Sequence, residues 1–259
     1  MRSGISTKPG LFRRFAAAKW FRTSDGAMAA TLAAEPQAFP ELASLGQMFP
    51  DYRRIFHFPG EFIDAGHRAI AELPAPDGLI ATSVQGFLRP ADALALYELA
   101  YFAAGDILEI GSYRGLSTTF LCRAASNAGR GARVWSIELD PECQKATADA
   151  VSAARLDPYY QALPGDAHEI MRRLIGEGRD FSVIFVDHDH SYAGMAPACS
   201  ALTELLRPGG MALFHDFNDA WNASGFYGIY QAVDELLQHP RMSFLGVIGC
   251  CALLRKTEA

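Results

Sequence analysis

The chain has 259 residues, half of them hydrophobic, and 29 acidic against 23 basic side chains give it a formal net charge of −6. That length suits one large α/β domain plus an extension, with apolar surface ample for a core. The acidic balance argues against a general nucleic-acid surface, and no apolar run reaches the ~18 residues needed to cross a bilayer.

The first 24 residues carry six Lys or Arg and no acid, with Leu11, Phe15 and Ala18 at helical spacing. They read as a basic tail or a short docking helix, in competition with a membrane-surface helix and an Arg-rich transit segment. From about 35 to 80 the chain is rich in Pro, Phe and Gly, which predicts irregular structure with short helices covering one mouth of the core. Residues 1–80 are therefore set apart as an N-terminal extension, and 81–259 as the main domain.

Beyond Arg89-Pro90 the pattern becomes regular. Residues 91–104 have apolar positions at helical spacing. Strands are then expected at 106–110, 133–138, 159–163, 181–186 and 210–215, and helices at 116–128, 141–154, 167–176, 193–206 and 228–238. Such alternation means a mostly parallel sheet covered on both faces, a doubly wound α/β fold. RMSFLGVIG and CCALLRK then lie almost back to back, which predicts a terminal antiparallel hairpin. The five cysteines, Cys122, Cys143, Cys199, Cys250 and Cys251, show no C-x-x-C pair and no metal-type spacing. They read as small core residues in a reducing, cytoplasmic setting.

Residues 107–115, ILEIGSYRG, form the most informative stretch: a strand closing on Glu109, a turn opened by Gly111 and Gly115, and a helix entered through Ser117. Glycine at 111 lets the backbone bend sharply, and glycine at 115 lets a ligand approach the helix start. A dinucleotide fingerprint would read G-x-G-x-x-G, but Ser112 stands where its second glycine belongs, which weakens a pyrophosphate reading. A second apolar run, VWSIELD, ends in Glu138, where an acid can accept hydrogen bonds from a ribose diol. A third, LPGDAHEIM, holds Gly165-Asp166-Ala167. Each acid taken singly is also a candidate helix cap. Two denser clusters, Asp187-His188-Asp189-His190 and His215-Asp216, end neighbouring strands and converge on one mouth.

These motifs resemble those of class I S-adenosylmethionine (SAM)-dependent methyltransferases, whose fold is Rossmann-like with a seven-stranded sheet. The resemblance implies that Glu109 and Gly111 lie against the amino-acid end of SAM, with Ser112, Tyr113, Gly115 and Ser117 in the same cofactor motif. It further implies that Glu138 takes the ribose and that Gly165, Asp166 and Ala167 border the adenine. D-x-D-H-x-Y, then L-x-P-G-G, then H-D resembles the branch that includes small-molecule and antibiotic-sugar O-methyltransferases, over roughly residues 79–255. In metal-dependent relatives, acids at the ends of strands four and five hold Mg²⁺. Carried over, those positions are Asp187, which is also counted with the cofactor residues, and His215-Asp216, although histidine departs from the all-oxygen pattern of a hard cation.

The expected activity is methylation of a small hydroxylated acceptor, with S-adenosylhomocysteine (SAH) as co-product. Because the sulfonium is already an electrophile, the site must align the acceptor and remove its proton. Asp187, Asp189 and His190 are the candidate catalytic residues, His190 or Asp189 being placed to act as base; Asp189 also reads as a cap of the helix beginning near Ser191. N-methylation is the neighbouring reading. An NAD-type oxidoreductase is disfavoured by Ser112, and a non-catalytic SAM-binding scaffold by the polar clusters. Trp221, Phe226 and Tyr227 either wall the acceptor pocket or pack the last helix. The acceptor's identity and any homo-oligomer are not legible.

Overall fold

The computed structural model describes residues 28, 30–47, 51–73 and 78–258; the basic segment 1–24, and with it the tail or docking-helix reading, lies outside the described residues. In chain order the elements are β1 (Thr31–Leu32), β2 (Phe56–His57), α1 (Ala65–Ala71), α2 (Pro90–Tyr101), β3 (Ile107–Ile110), α3 (Leu116–Ala128), β4 (Val134–Glu138), α4 (Pro141–Ala153), β5 (Tyr160–Pro164), α5 (Ala167–Gly176), β6 (Phe181–Val186), α6 (Tyr192–Leu205), β7 (Leu206–Phe214), α7 (Ala220–Ala223), α8 (Ile229–Leu236), β8 (Met242–Ile248) and β9 (Cys251–Lys256).

The main sheet has seven strands in the order β5-β4-β3-β6-β7-β9-β8. The first five run parallel, and β9 is antiparallel to both β7 and β8. Strand order reverses between β3 and β6, so the crevice at their carboxyl ends is the place where such sheets bind ligands. Strands β3 and β6 are buried along their whole length, which explains why they read as continuous apolar runs. Alternate side chains divide between two cores. Ile107, Val183, Phe185 and Leu213 pack with α2 and α3, whereas Leu108, Ile110, Ile184 and Phe214 pack with α6 and α8.

Two features differ from the sequence expectation. Strand β7 starts at Leu206 rather than 210, because Arg207-Pro208-Gly209-Gly210 is absorbed as an irregularity within the strand: Phe181 pairs with Leu206, then Val183 with Met211. Gly209, at φ +77°, permits that bend. The small antiparallel pair β1–β2 was not expected, since two-residue strands carry no period-two pattern.

Two of the extension's ties to the main domain position the sheet edge and α2. Residues 37–46 run past the sheet's terminal strand: Gln37 N donates to Phe244 O, Tyr230 Oη to Pro40 O, and Gly46 N to Asn218 O, each at 2.9 Å. Phe39 packs against Phe217, Tyr230 and Phe244 at centroid distances of 5.6, 4.9 and 5.2 Å. The second tie is buried. Glu98 of α2 accepts from Ile55 N at 2.7 Å, from Phe56 N at 3.3 Å and from the Tyr52 hydroxyl, and His67 Nε2 lies 3.4 Å away. Burial pushes the Glu98 carboxyl up to about 8 against the pull of those backbone donors. Burial, with the nearby Arg54 charge, lowers His67 to about 4, so this pair is neutral near pH 7.

Candidate active site

The cofactor turn is set by close approach. Gly111 has φ +90°, and a β-carbon there would lie 2.0 Å from the Asp187 carbonyl oxygen, so the turns after β3 and β6 touch through backbone alone. Gly115, at φ +88°, also admits α4: Thr147 Cα lies 2.9 Å from where a β-carbon would sit.

Glu109 is engaged within the protein. It is fully buried and accepts from the hydroxyls of Ser117, Thr118 and Ser136, each at 2.6 Å. Burial pushes its carboxyl up to about 7 while those hydroxyls pull it down. Its carboxylate thus fastens β3 to β4 and to the start of α3, and Ser117 is spent on the same network.

Glu138 faces the turn. One oxygen accepts from Ser112 N at 3.1 Å and Tyr113 N at 2.8 Å, and the other from Asp140 N at 3.0 Å. Ser112 Oγ meets Thr147 Oγ1 at 3.1 Å, while Tyr113, at φ +48°, keeps a partly exposed ring beside Phe87. In the third segment, Gly165 N donates to Glu138 O, and Asp166 caps α5 through Glu169 N, with Ala167 as the first helical residue. The glycine-containing turns after β3 and β5 are therefore both held to the end of β4.

The second half of the site joins Asp187 and His190, after β6, to Asp216, after β7. His190 Nε2 is 3.4 Å from Asp187 Oδ1 and 3.5 Å from Asp216 Oδ2. One donor atom from each of the three lies within 4.8 Å of the others. Asp216 is in the left-handed region at φ +53°, an unusual conformation for a residue with a β-carbon that aims its carboxylate back toward Asp187. His215 lies behind the carboxylates and is buried. Its Nδ1 is 3.4 Å from an oxygen of each. Burial would raise Asp187 and Asp216, but the imidazoles of His215 and His190 outweigh it and hold both carboxyls below their ordinary range. For the same reason His190 is raised: burial opposes protonation, and the two carboxylates favour it.

Asp189 does not join this cluster. Its carboxylate accepts from Ser191 N at 2.9 Å and Ser191 Oγ at 3.0 Å, at the entry to α6. It braces the entry rather than capping the helix itself: the cap is Ser191, whose hydroxyl accepts from Gly194 N at 3.1 Å. His190, in contrast, is backed by Tyr227, whose ring lies 4.6 Å away, and the largely exposed Trp221 and Phe226 pack against that Tyr227 ring. Sequence reasoning gave His188 no role. Its ring is largely buried with both nitrogens unsatisfied, edge-on to His168, 5.9 Å away. Its place immediately after Asp187, touching the Gly111 turn, was the available signal. A separate groove of 490 Å³, lined by Ser83, Gln85, Arg114 and Arg123 with α4, holds none of the carboxylate cluster.

Residues 108–217, which span β3 to the turn after β7, match the family of methyltransferase domains. This segment is similar to that family, and the sheet around it has the class I methyltransferase fold. A catechol O-methyltransferase from Niastella koreensis is 33% identical over 87 residues, 33% of this chain and 38% of that protein. The methyltransferase fold extends beyond the matched segment. The O-methyltransferase TomG from Streptomyces achromogenes, involved in tomaymycin synthesis and solved with SAM, has a TM-score of 0.55 at 20% identity, over 66% of this chain and 81% of that one. The O-methyltransferase from Bacillus cereus, solved with SAH, has a TM-score of 0.53 at 21% identity, over 73% and 86%. Among the described residues, no helix is long and apolar enough to cross a membrane.

Proposed function

We propose that the protein transfers the methyl group of SAM to a hydroxyl of a small molecule, with residues 81–259 as the catalytic domain. The observation that carries this reading is the meeting of Asp187, His190 and Asp216 next to the Gly111 turn, where acceptor chemistry and cofactor share one crevice. Backbone groups of the Gly111–Tyr113 turn receive the amino-acid end of SAM, Glu138 the ribose diol, and Gly165–Ala167 together with His188 the adenine side. Neighbouring folds solved with SAM or SAH support this cofactor.

Alkyl transfer to oxygen requires the acceptor to lie in line with the sulfonium and to lose its proton. His190 is the base in this reading. The two carboxylates favour its protonated form, so a proton taken from the acceptor is retained. Asp189 is reassigned from base to a brace of the capping residue Ser191. Tyr227 fixes the imidazole plane, and Trp221 and Phe226 offer apolar surface to the acceptor.

A second reading of the same residues is supported by their donor chemistry. Two carboxylates and one imidazole fit a divalent cation such as Mg²⁺ or Mn²⁺, held by Asp187, Asp216 and His190, with His190 in the place the sequence gave to His215. When bound, the cation would supply Lewis acidity to the acceptor hydroxyl. The five free thiols, four of them buried, suit a reducing, cytoplasmic compartment.

The test is methyl transfer from isotopically labelled SAM to a panel of catechols, other diols and amines, with SAH quantified. The catechol O-methyltransferase relative makes catechols the first acceptors to assay. Binding of SAM without transfer to any hydroxyl, alongside transfer to an amine, would reject O-methylation.

A further inference from the structure

Beneath the crevice, on the side of His215 away from Asp187 and Asp216, a second group of ligand-type side chains has no part in the chemistry above. His215, Cys250 and Cys251 are all buried, and one ligand atom from each lies within 4.8 Å of the others. The two cysteines form the turn and first residue of the β8–β9 hairpin, and His215 follows β7, which pairs with β9. Asp92, from the first turn of α2, completes the group. Its Oδ1 accepts from Cys250 N at 2.9 Å and lies 3.6 Å from Cys251 Sγ, and its Oδ2 is 4.0 Å from His215 Nε2.

Two observations mark this as more than apolar packing. His215 is 97% buried, since only 3% of it is exposed; its Nδ1 faces the two carboxylates, but its Nε2 makes no hydrogen bond. A buried ring nitrogen left in that state is costly unless something else satisfies it. The pocket is also shaped by a glycine: Gly249 has φ +57°, and a β-carbon there would stand 2.0 Å from Asp92 Oδ1. The hairpin turn is thus bare where the carboxylate enters.

We infer that His215 Nε2, Cys250 Sγ, Cys251 Sγ and Asp92 form a buried binding site for a thiophilic divalent cation of the Zn²⁺ class. Thiolates and imidazole are the ligands such ions prefer, and a closed four-ligand set marks a structural site and not a catalytic one. Zinc bonds of about 2.3 Å to sulfur and 2.0–2.1 Å to nitrogen place ligand atoms roughly 3.3–3.8 Å apart, so side-chain rotation of about 1 Å closes the site. Each thiol gives up its proton to solvent on binding, and no electron is transferred. Asp92 keeps its bond from Cys250 N, because each carboxylate oxygen has a second lone pair. The ion would join α2, β7 and the terminal hairpin directly under Asp216. It is distinct from any hard cation at Asp187, His190 and Asp216, with which it shares no ligand: His215 turns Nδ1 to that cluster and Nε2 to this one.

The experiment uses the full chain, reduced and stripped with chelator, and titrates it with Zn²⁺ and separately with Co²⁺. One equivalent of Zn²⁺ should bind with Kd below about 1 µM, and Co²⁺ should give the near-ultraviolet charge-transfer absorption of a cobalt–thiolate bond. That absorption separates the site from the crevice above, which has no sulfur. It should persist in a D187N/D216N variant and vanish in a C250S/C251S variant. Its absence in the wild-type chain would overturn the inference without recourse to any variant, as would its persistence in folded C250S/C251S protein.

Discussion

The Asp187 carbonyl oxygen lies 2.0 Å from the point where a β-carbon on Gly111 would stand. The turn that receives the cofactor and the turn that carries the reacting residues are therefore packed backbone to backbone, and neither can move without the other. Gly111→Ala should destabilise the fold by about 3 kcal/mol or more, from the clash and from the left-handed φ. Denaturant unfolding checks this; a loss under about 1 kcal/mol would mean that the contact opens easily.

Glu138 should be the side chain on which SAM affinity depends most. It holds Ser112 N and Tyr113 N while offering its remaining lone pairs to a ribose. Glu138→Ala should weaken SAM and SAH binding by roughly 2–4 kcal/mol, read by calorimetry. Unchanged affinity would remove it from the site.

His190 and Asp189 should part company. His190→Ala should lower kcat by about 10²–10⁴ with SAM affinity retained. Asp189→Asn, which loosens only the entry to α6, should stay within about tenfold of wild type. If the Asp189 substitution costs more than the His190 one, the base has been placed on the wrong residue.

Chelator distinguishes the two readings of the carboxylate pair. If a divalent cation is held there, EDTA should abolish turnover, Mg²⁺ or Mn²⁺ should restore it, and Asp187→Asn should mimic the chelated protein. Full turnover in excess chelator leaves Asp187 and Asp216 as partners of a histidine base.

The buried Glu98–His67 pair predicts a pH dependence of stability. Glu98 is raised in the fold to about 8 from an ordinary 4.5, so its contribution is complete below pH 4.5 and is lost as pH rises toward 8. His67 is lowered to about 4 from 6.5, so its contribution is lost as pH falls from 6.5 to 4. The two slopes oppose each other between 4.5 and 6.5, leaving a net decline from Glu98 between about 6.5 and 8, at most about 1.4 kcal/mol per pH unit. Glu98→Gln should flatten that limb in melting curves taken across the range, and an unchanged limb would assign it to other groups.

The parts of the molecule that were legible in the sequence are those with a repeating physical signature. The alternation of buried runs such as Phe181–Val186 with helical segments, and the back-to-back arrangement at the terminal hairpin, were enough to define the sheet. Which acids are free and which are spent was not legible. Glu109 and Glu138 each stand at or next to a strand's last residue, yet three hydroxyls brought from β4 and α3 engage the first, while the second faces the turn. Nor does spacing distinguish Asp189 from His190, one residue apart, because only the path of the chain into α6 directs one toward Ser191 and the other between two carboxylates. The Cys250-Cys251 pair read as core filling because its partners, Asp92 and His215, are far away in sequence.

Strand β8 ends the sheet, and a bare terminal strand invites another chain to add itself to the row. Here the passage of residues 37–46 occupies that side, with Gln37 taking up the Phe244 carbonyl and Phe39 shielding the ring beneath it. A chain trimmed to the segment from 81 onward would keep every residue assigned to chemistry and still lose this guard. Its last strand would then present an unpaired row to copies of itself.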